Sequence, residues 1–222
     1  RVLRCDDFEG IVPLLRFYLA DHANITLHHA ALAVANPING DQVRMTNRAW
    51  EFSTDAVCRE LGLNTLLIVN DFTALAMSLP ALGPHELMKV GGGEAVPNAV
   101  TGVLGPGTGL GVSAVIPTVD GFVTLGSEGG HMNFAPADER EFAILQYAWK
   151  EWSHVSNERL ISGPGMEIIY RALAQRNGVK AAPRSSPDII TGALEDRDPL
   201  CLEVLDCFSG MLGGAAANLA VT

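Results

Sequence analysis

Leu66-Leu67-Ile68-Val69 is a run of four aliphatic residues that stops on an amide and a carboxylate, Asn70-Asp71. Such a run marks a strand buried on both faces of a parallel sheet, and open α/β sheets place their ligand sites at the carboxyl ends of such strands. Phe72 to Leu79 keep helix-compatible apolar spacing and stop at Pro80. Asn70 and Asp71 are therefore expected at a strand-to-helix junction, in a cleft. The competing reading of Asp71 is a plain helix cap whose carboxylate accepts from orphan backbone N–H groups.

A chain of 222 residues that is 48% hydrophobic can bury the core of one large domain or two small ones. Its 15 Lys+Arg against 25 Asp+Glu give a formal charge of −10, and no basic run or aromatic-basic interleaving accompanies them. This argues against a nucleic-acid surface and for small ligands or proteins as partners. Cys5, Cys58, Cys201 and Cys207 have neither CxxC spacing nor the density of a disulfide scaffold, which favours reduced, core-packed thiols in the cytoplasm. Arg1 to Arg4 run into Asp6-Asp7 without a signal-peptide pattern. The apolar stretch Met211 to Val221 contains Asn218 and two glycines, too short and too broken to span a bilayer, and reads as a small-residue helix packed on a sheet.

Along the chain, Asp7 is expected to cap a helix carrying Phe8, Ile11, Leu14, Leu15, Tyr18 and Leu19. Leu27 to Val34 reads as a strand, followed by turn chemistry at Ala35 to Gly40. Gln42 to Thr46 alternates with period two, so the pair suggests a hairpin. Ser53 or Thr54 caps a helix that Gly62 ends. Glycine and proline enrichment from Gly83 to Pro97 places a hinge near Pro80 to Pro84, dividing the chain into lobes 1–81 and 82–222. In the second lobe, strands are expected at Val100–Leu104, Val112–Ile116 and Phe122–Leu125. Helices are expected at about Asp138–Glu151, Gly165–Gln175, Pro187–Leu194 and Leu200–Leu219.

Three further motifs carry chemistry. Gly105-Pro106-Gly107-Thr108-Gly109-Leu110-Gly111 puts four glycines between two apolar strands. There, backbone N–H groups and a threonine hydroxyl can meet phosphate oxygens, or the glycines can make a plain β-turn. It is not a P-loop or a dinucleotide fingerprint, because no Gly-Lys-Ser/Thr follows and the next element is a strand. Glu128-Gly129-Gly130-His131 joins a carboxylate and an imidazole across two glycines. Both suit vicinal sugar hydroxyls, against a loop histidine that only satisfies backbone groups. Glu158 has as its bland reading an acidic residue favoured by the helix dipole, and nothing local singles it out. His28 and His29, adjacent on a strand, cannot both face one site.

Together these blocks resemble the bacterial glucokinase family. The resemblance rests on Asn70-Asp71-Phe72-Thr73-Ala74, the glycine-rich Gly105 to Gly111, Gly126-x-Glu128-Gly129-Gly130-His131-x-x-Phe134-Ala135-Pro136 and Glu158-Arg159-x-x-Ser162-Gly163-Pro164-Gly165. Pro37-Ile38-x-Gly40-Asp41 and Met45-Thr46-Asn47-x-x-Trp50 extend it over nearly the whole chain. The cysteine clusters of the zinc-containing sugar kinase and repressor relatives are absent.

The resemblance implies an α/β, actin-like (ribonuclease-H-like) two-lobed kinase that closes on glucose and ATP with Mg2+. By it, Asp71 is the general base toward the sugar 6-hydroxyl and Asn70 holds neighbouring hydroxyls. Glu128, His131 and Glu158 complete the sugar site, and Gly105, Gly107, Thr108 and Gly109 belong to a phosphate loop. The resemblance assigns no metal ligand, implies no nucleic-acid or membrane partner and leaves a homodimer open. The family's Asp-x-Gly-Gly-Thr-Asn turn and its adenosine-binding segment have no counterpart here, so an internal piece of a glucokinase is expected. The alternative is a sugar-binding or regulatory module on the same fold. An acetate-type kinase fits less well, because paired acids beside His131 suit polyols better than a carboxylate.

Overall fold

The computed structural model describes residues 1–22, 24–45 and 49–222. Thr46 and Asn47, with the expected end of the strand at Thr46, lie outside the described residues. The chain divides into two units, Arg1–Lys89 and Val90–Thr222.

The first unit begins with a short 3-10 turn, Cys5–Asp7, and the helix α1 (Ile11–Ala20). Asp7 belongs to the turn and does not cap α1. The helix starts after Gly10, whose backbone is fully extended, and Pro13 sits in its first turn, where the missing N–H costs nothing. Strand β1 (His29–Val34) pairs in parallel with β4 (Thr65–Asn70), from His29 opposite Thr65 to Val34 opposite Asn70. The hairpin forms instead between β2 (Gln42–Arg44) and β3 (Glu51–Ser53). Period-two alternation marks a strand but not its partner, and Gln42 to Arg44 pairs with the chain that follows it. Ser53 caps α2 (Thr54–Glu60) by accepting from the Ala56 N–H, and the left-handed Gly62 follows its end, as the sequence indicates.

β4 is less enclosed than its composition suggests. Ile68 is buried, but Leu67 on the opposite face is 46% exposed, because the described sheet around it has two strands only. The local core is Val34, Val43 and Ile68, with Leu32, Ile38, Phe52 and Leu66 against it. α3 (Asp71–Ser78) leaves directly from the end of β4.

The second unit holds the larger core. Strands β5 (Thr101–Pro106), β6 (Leu110–Thr118) and β7 (Gly121–Ser127) form an antiparallel meander with β6 in the centre. Five helices follow: α4 (Glu139–Ala148), α5 (Asn157–Leu160), α6 (Gly163–Arg176), α7 (Ser186–Leu194) and α8 (Pro199–Ala220). Each starts on a side-chain cap that accepts from a first-turn N–H: Asp138, Ser156, Ser162, Ser185 and Asp198. Ile144, Leu160, Ile169, Leu173, Ile189 and Val204 are fully buried where these helices meet.

α8 is long and apolar enough to cross a membrane by length and composition alone. Its first half nevertheless lies in this core, burying Cys201, Val204, Cys207, Phe208 and Met211 at helical spacing. The small-residue half expected on a sheet touches β5 through Leu219, whose side chain fills the space a Cβ on Gly102 would take. Cys201 and Cys207 are buried, as expected of core thiols, whereas Cys5 and Cys58 are only half-buried. Burial pushes the Cys207 thiol up to about 12.

Candidate active site

In the first unit, parallel pairing brings the ends of β1 and β4 to one edge. Asn36 follows β1 there and is buried, its Nδ2 donating to the Arg44 carbonyl at 3.1 Å. Asn70 Nδ2 reaches the Asn36 carbonyl at 3.4 Å. Asp71 is not the cap that its competing reading made it: Asn70 is the N-cap of α3, its Oδ1 accepting from Phe72 N–H at 2.9 Å and Thr73 N–H at 3.1 Å. With the cap filled, Asp71 is exposed, and the Phe72 N–H donates to its Oδ1 at 2.9 Å.

In the second unit, the glycine-rich segment is the hairpin turn between β5 and β6. Gly105 pairs with Gly111 and Pro106 with Leu110, leaving Gly107, Thr108 and Gly109 as the turn. Two contacts fix it: Gly107 N–H donates to the Gly109 carbonyl, and Gly163 N–H at the start of α6 donates to the Gly107 carbonyl, each at 2.8 Å. Thr108 is exposed at the tip. None of the turn glycines has a positive φ, so space, not left-handed backbone, explains the glycine at position 109.

The missing side chain there faces Glu158. Glu158 Oε2 accepts from the Leu110 N–H at 2.9 Å, across 48 positions of sequence. The helix-dipole reading of Glu158 is therefore incomplete: it does lie in the first turn of α5, and its carboxylate also clasps the start of β6. Sequence gave no signal for this contact, because an N–H partner carries no side chain to recognise.

Glu128 follows β7, and His131 closes the 3-10 turn Gly129–His131. This turn rests on β6 so closely that a Cβ on Gly130 would lie 2.1 Å from the Leu110 carbonyl oxygen. The next residues run antiparallel to the entry into α5. Asn133 bridges Ser156, Asn157 N–H donates to the Met132 carbonyl at 2.8 Å, and Phe134 N–H donates to the Val155 carbonyl at 3.0 Å. That pairing carries Glu158 to His131. Nε2 of His131 lies 3.6 Å from Glu128 Oε2, and Nδ1 lies 3.7 Å from Glu158 Oε1. These distances are too long for direct hydrogen bonds. The imidazole stands between two carboxylates with its nitrogens open to a ligand, on side chains between one-third and three-fifths exposed.

Over all 222 residues the sequence matches the family model described as Glucokinase. The chain belongs to the glucokinase family. It is 53% identical over 223 residues to the bifunctional protein glk of Paraburkholderia xenovorans, a match covering 100% of this chain and 35% of that protein. It is 50% identical over 208 residues to the glucokinase of Chromobacterium violaceum, covering 94% of this chain and 60% of the relative. Among solved structures, a glucokinase from an Antarctic psychrotroph superposes with a TM-score of 0.86 at 33% identity, covering 100% of this chain and 69% of that one. The fold is thus the actin-like sugar-kinase fold expected from the motifs. The chain spans 35 to 60% of the length of these two sequence relatives.

Proposed function

We infer that the polypeptide carrying these residues transfers the γ-phosphoryl group of ATP to the 6-hydroxyl of glucose. The observation that supports this most is the gathering of Glu128 and His131, three residues apart, with Glu158 from a later helix, around one set of nitrogens and oxygens suited to adjacent sugar hydroxyls. Carboxylates accept from hydroxyls, and an imidazole accepts or donates. The two units are read as parts of the small and large lobes of the kinase.

Phosphoryl transfer asks a protein mainly for positioning and charge stabilisation. Asp71 is assigned the general-base role because its carboxylate is exposed, anchored through one oxygen and free at the other. Asn70 has both ends of its amide engaged within the fold, so its contribution to sugar binding is to hold the junction and to offer its remaining valences. Gly107 N–H and Leu110 N–H are already occupied, so at the glycine turn the Thr108 and Gly109 N–H groups and the Thr108 hydroxyl are the donors assigned to phosphate. Gly105 supports the turn from within β5.

Mg2+ accompanies ATP in this reading and neutralises phosphate charge. Among the described residues no group of three His, Cys, Asp or Glu converges on a metal position. Mg2+ takes many of its ligands from phosphates and water, and no residue of this chain is assigned to it. The assigned partners are glucose and ATP in the cytoplasm, with no nucleic acid or membrane.

Asp71→Asn in the full-length polypeptide is the decisive variant. The amide keeps the Oδ1 acceptor for Phe72 N–H, so folding and glucose binding by calorimetry should survive, while turnover in a coupled assay falls roughly 10²- to 10⁴-fold. Turnover near wild type would remove Asp71 from the base role. Glucose binding without turnover in the wild-type polypeptide would favour the sugar-binding module instead.

A further inference from the structure

The glycine turn and the sugar-facing carboxylate meet at a single point. A Cβ on Gly109 would stand 2.3 Å from Glu158 Oε2 and 2.9 Å from its Cδ, about 1 Å inside ordinary contact. The next residue's N–H, that of Leu110, donates to the same Oε2. Gly107, in the same turn, has open space where its Cβ would be, so the crowding is particular to position 109. The obstructing atoms are the end of a flexible side chain. A methyl group at 109 is therefore accommodated by moving the carboxylate, whereas one at 130 would press on backbone.

We propose that Gly109 is a positioning residue for Glu158: the absent side chain lets the carboxylate reach the Leu110 amide, which fixes it beside His131 for the sugar. The glycine thus sets sugar affinity, although it lies in the segment assigned to phosphate. This deepens the glucokinase reading and rests on Glu158 being a glucose ligand. The physical consequence is a shared anchor, since the Leu110 N–H holds Glu158 while the Leu110 carbonyl packs under the turn that carries His131.

The test is a mutant cycle on the full-length polypeptide, with glucose affinity read by calorimetry and ATP KM by coupled assay. Gly109→Ala should weaken glucose binding roughly fivefold or more, the size of effect expected when two contacting groups are uncoupled, and by a larger factor than it raises the ATP KM, because alanine keeps the N–H assigned to phosphate. Glu158→Asp draws the carboxylate back by about one C–C bond, roughly 1.5 Å, which clears the new methyl. Adding Gly109→Ala to Glu158→Asp should therefore cost nothing further in glucose affinity, whereas a merely structural glycine would give additive losses.

If Glu158→Ala weakens glucose binding but Gly109→Ala does not, or if Gly109→Ala raises only the ATP KM, the positioning role is wrong and the sugar site stands. If Glu158→Ala itself binds glucose as tightly as wild type, the sugar reading of Glu158 falls and the proposal falls with it.

Discussion

Replacing Gly130 with alanine tests whether the His131 turn depends on its contact with β6. The added Cβ would lie 2.1 Å from the Leu110 carbonyl oxygen, 3.1 Å from its carbon and 3.3 Å from its Cβ. Both partners are backbone, one in a central strand and one at the buried Gly130 of the turn, so neither can yield by changing a rotamer. Separating them to ordinary contact needs a shift of about 1 Å, and overpacking of this kind typically costs about 1 to 3 kcal/mol. At this chain length that corresponds to a loss in Tm of roughly 2 to 4 °C per kcal/mol. The same shift carries His131 away from partners at 3.6 and 3.7 Å, so glucose affinity should fall about tenfold, or about 1.4 kcal/mol.

Two neighbours provide the scale. Gly126 has nothing within 4 Å of its would-be Cβ, and Gly129 meets the Ser127 hydroxyl and Val112 side chain at 3.1 Å. Urea unfolding should rank Gly126→Ala within about 0.5 kcal/mol of wild type, Gly129→Ala between, and Gly130→Ala last. Equal midpoints for the first and last variants would refute the steric argument, and a destabilised Gly130→Ala with unchanged glucose affinity would detach it from the proposed sugar site.

Asp198→Ala should cost about 1 kcal/mol, the usual loss of an N-cap, because Asp198 Oδ1 accepts from Leu200 and Cys201 N–H groups and Oδ2 pairs with Arg184 at 3.1 Å. The Cys201 N–H bond, with help from Leu200 N–H and Arg184, holds the Asp198 carboxyl below its ordinary value near 3.8. Its stabilisation is thus complete above that value and lost as pH falls through the lower folded one, and acid titration of wild type against Asp198→Ala should converge below pH 3.8. Iodoacetamide at pH 8 should label Cys5 and Cys58 in the folded protein and spare Cys201 and Cys207, since burial raises both of the latter thiols, Cys207 to about 12. Rapid native labelling at Cys207, read by peptide mass spectrometry, would contradict the placement of α8 in the core.

What sequence determined is what depends on local chemistry and spacing. The cap Ser53 bonds within one helical turn, so residue type and position suffice to read it. The meander β5-β6-β7 is joined by short turns, and glycine-rich chemistry announces them. The family motifs named the candidate site residues for the same reason, each block being contiguous. Tertiary structure decided the rest, because it turns on partners far along the chain. Alternation in Gln42 to Arg44 was compatible with either neighbouring strand, and hydrogen-bond register chose β3. The sequence offered Asp71 as the cap of α3, and only the backbone at the end of β4 gave that cap to Asn70 and left Asp71 exposed. Glu158 looked like any acidic first-turn residue until the pairing of Met132 to Phe134 with Val155 to Asn157 brought it to the Leu110 amide. A backbone N–H is the same group at every residue but proline, so no sequence pattern could have revealed which one holds that carboxylate.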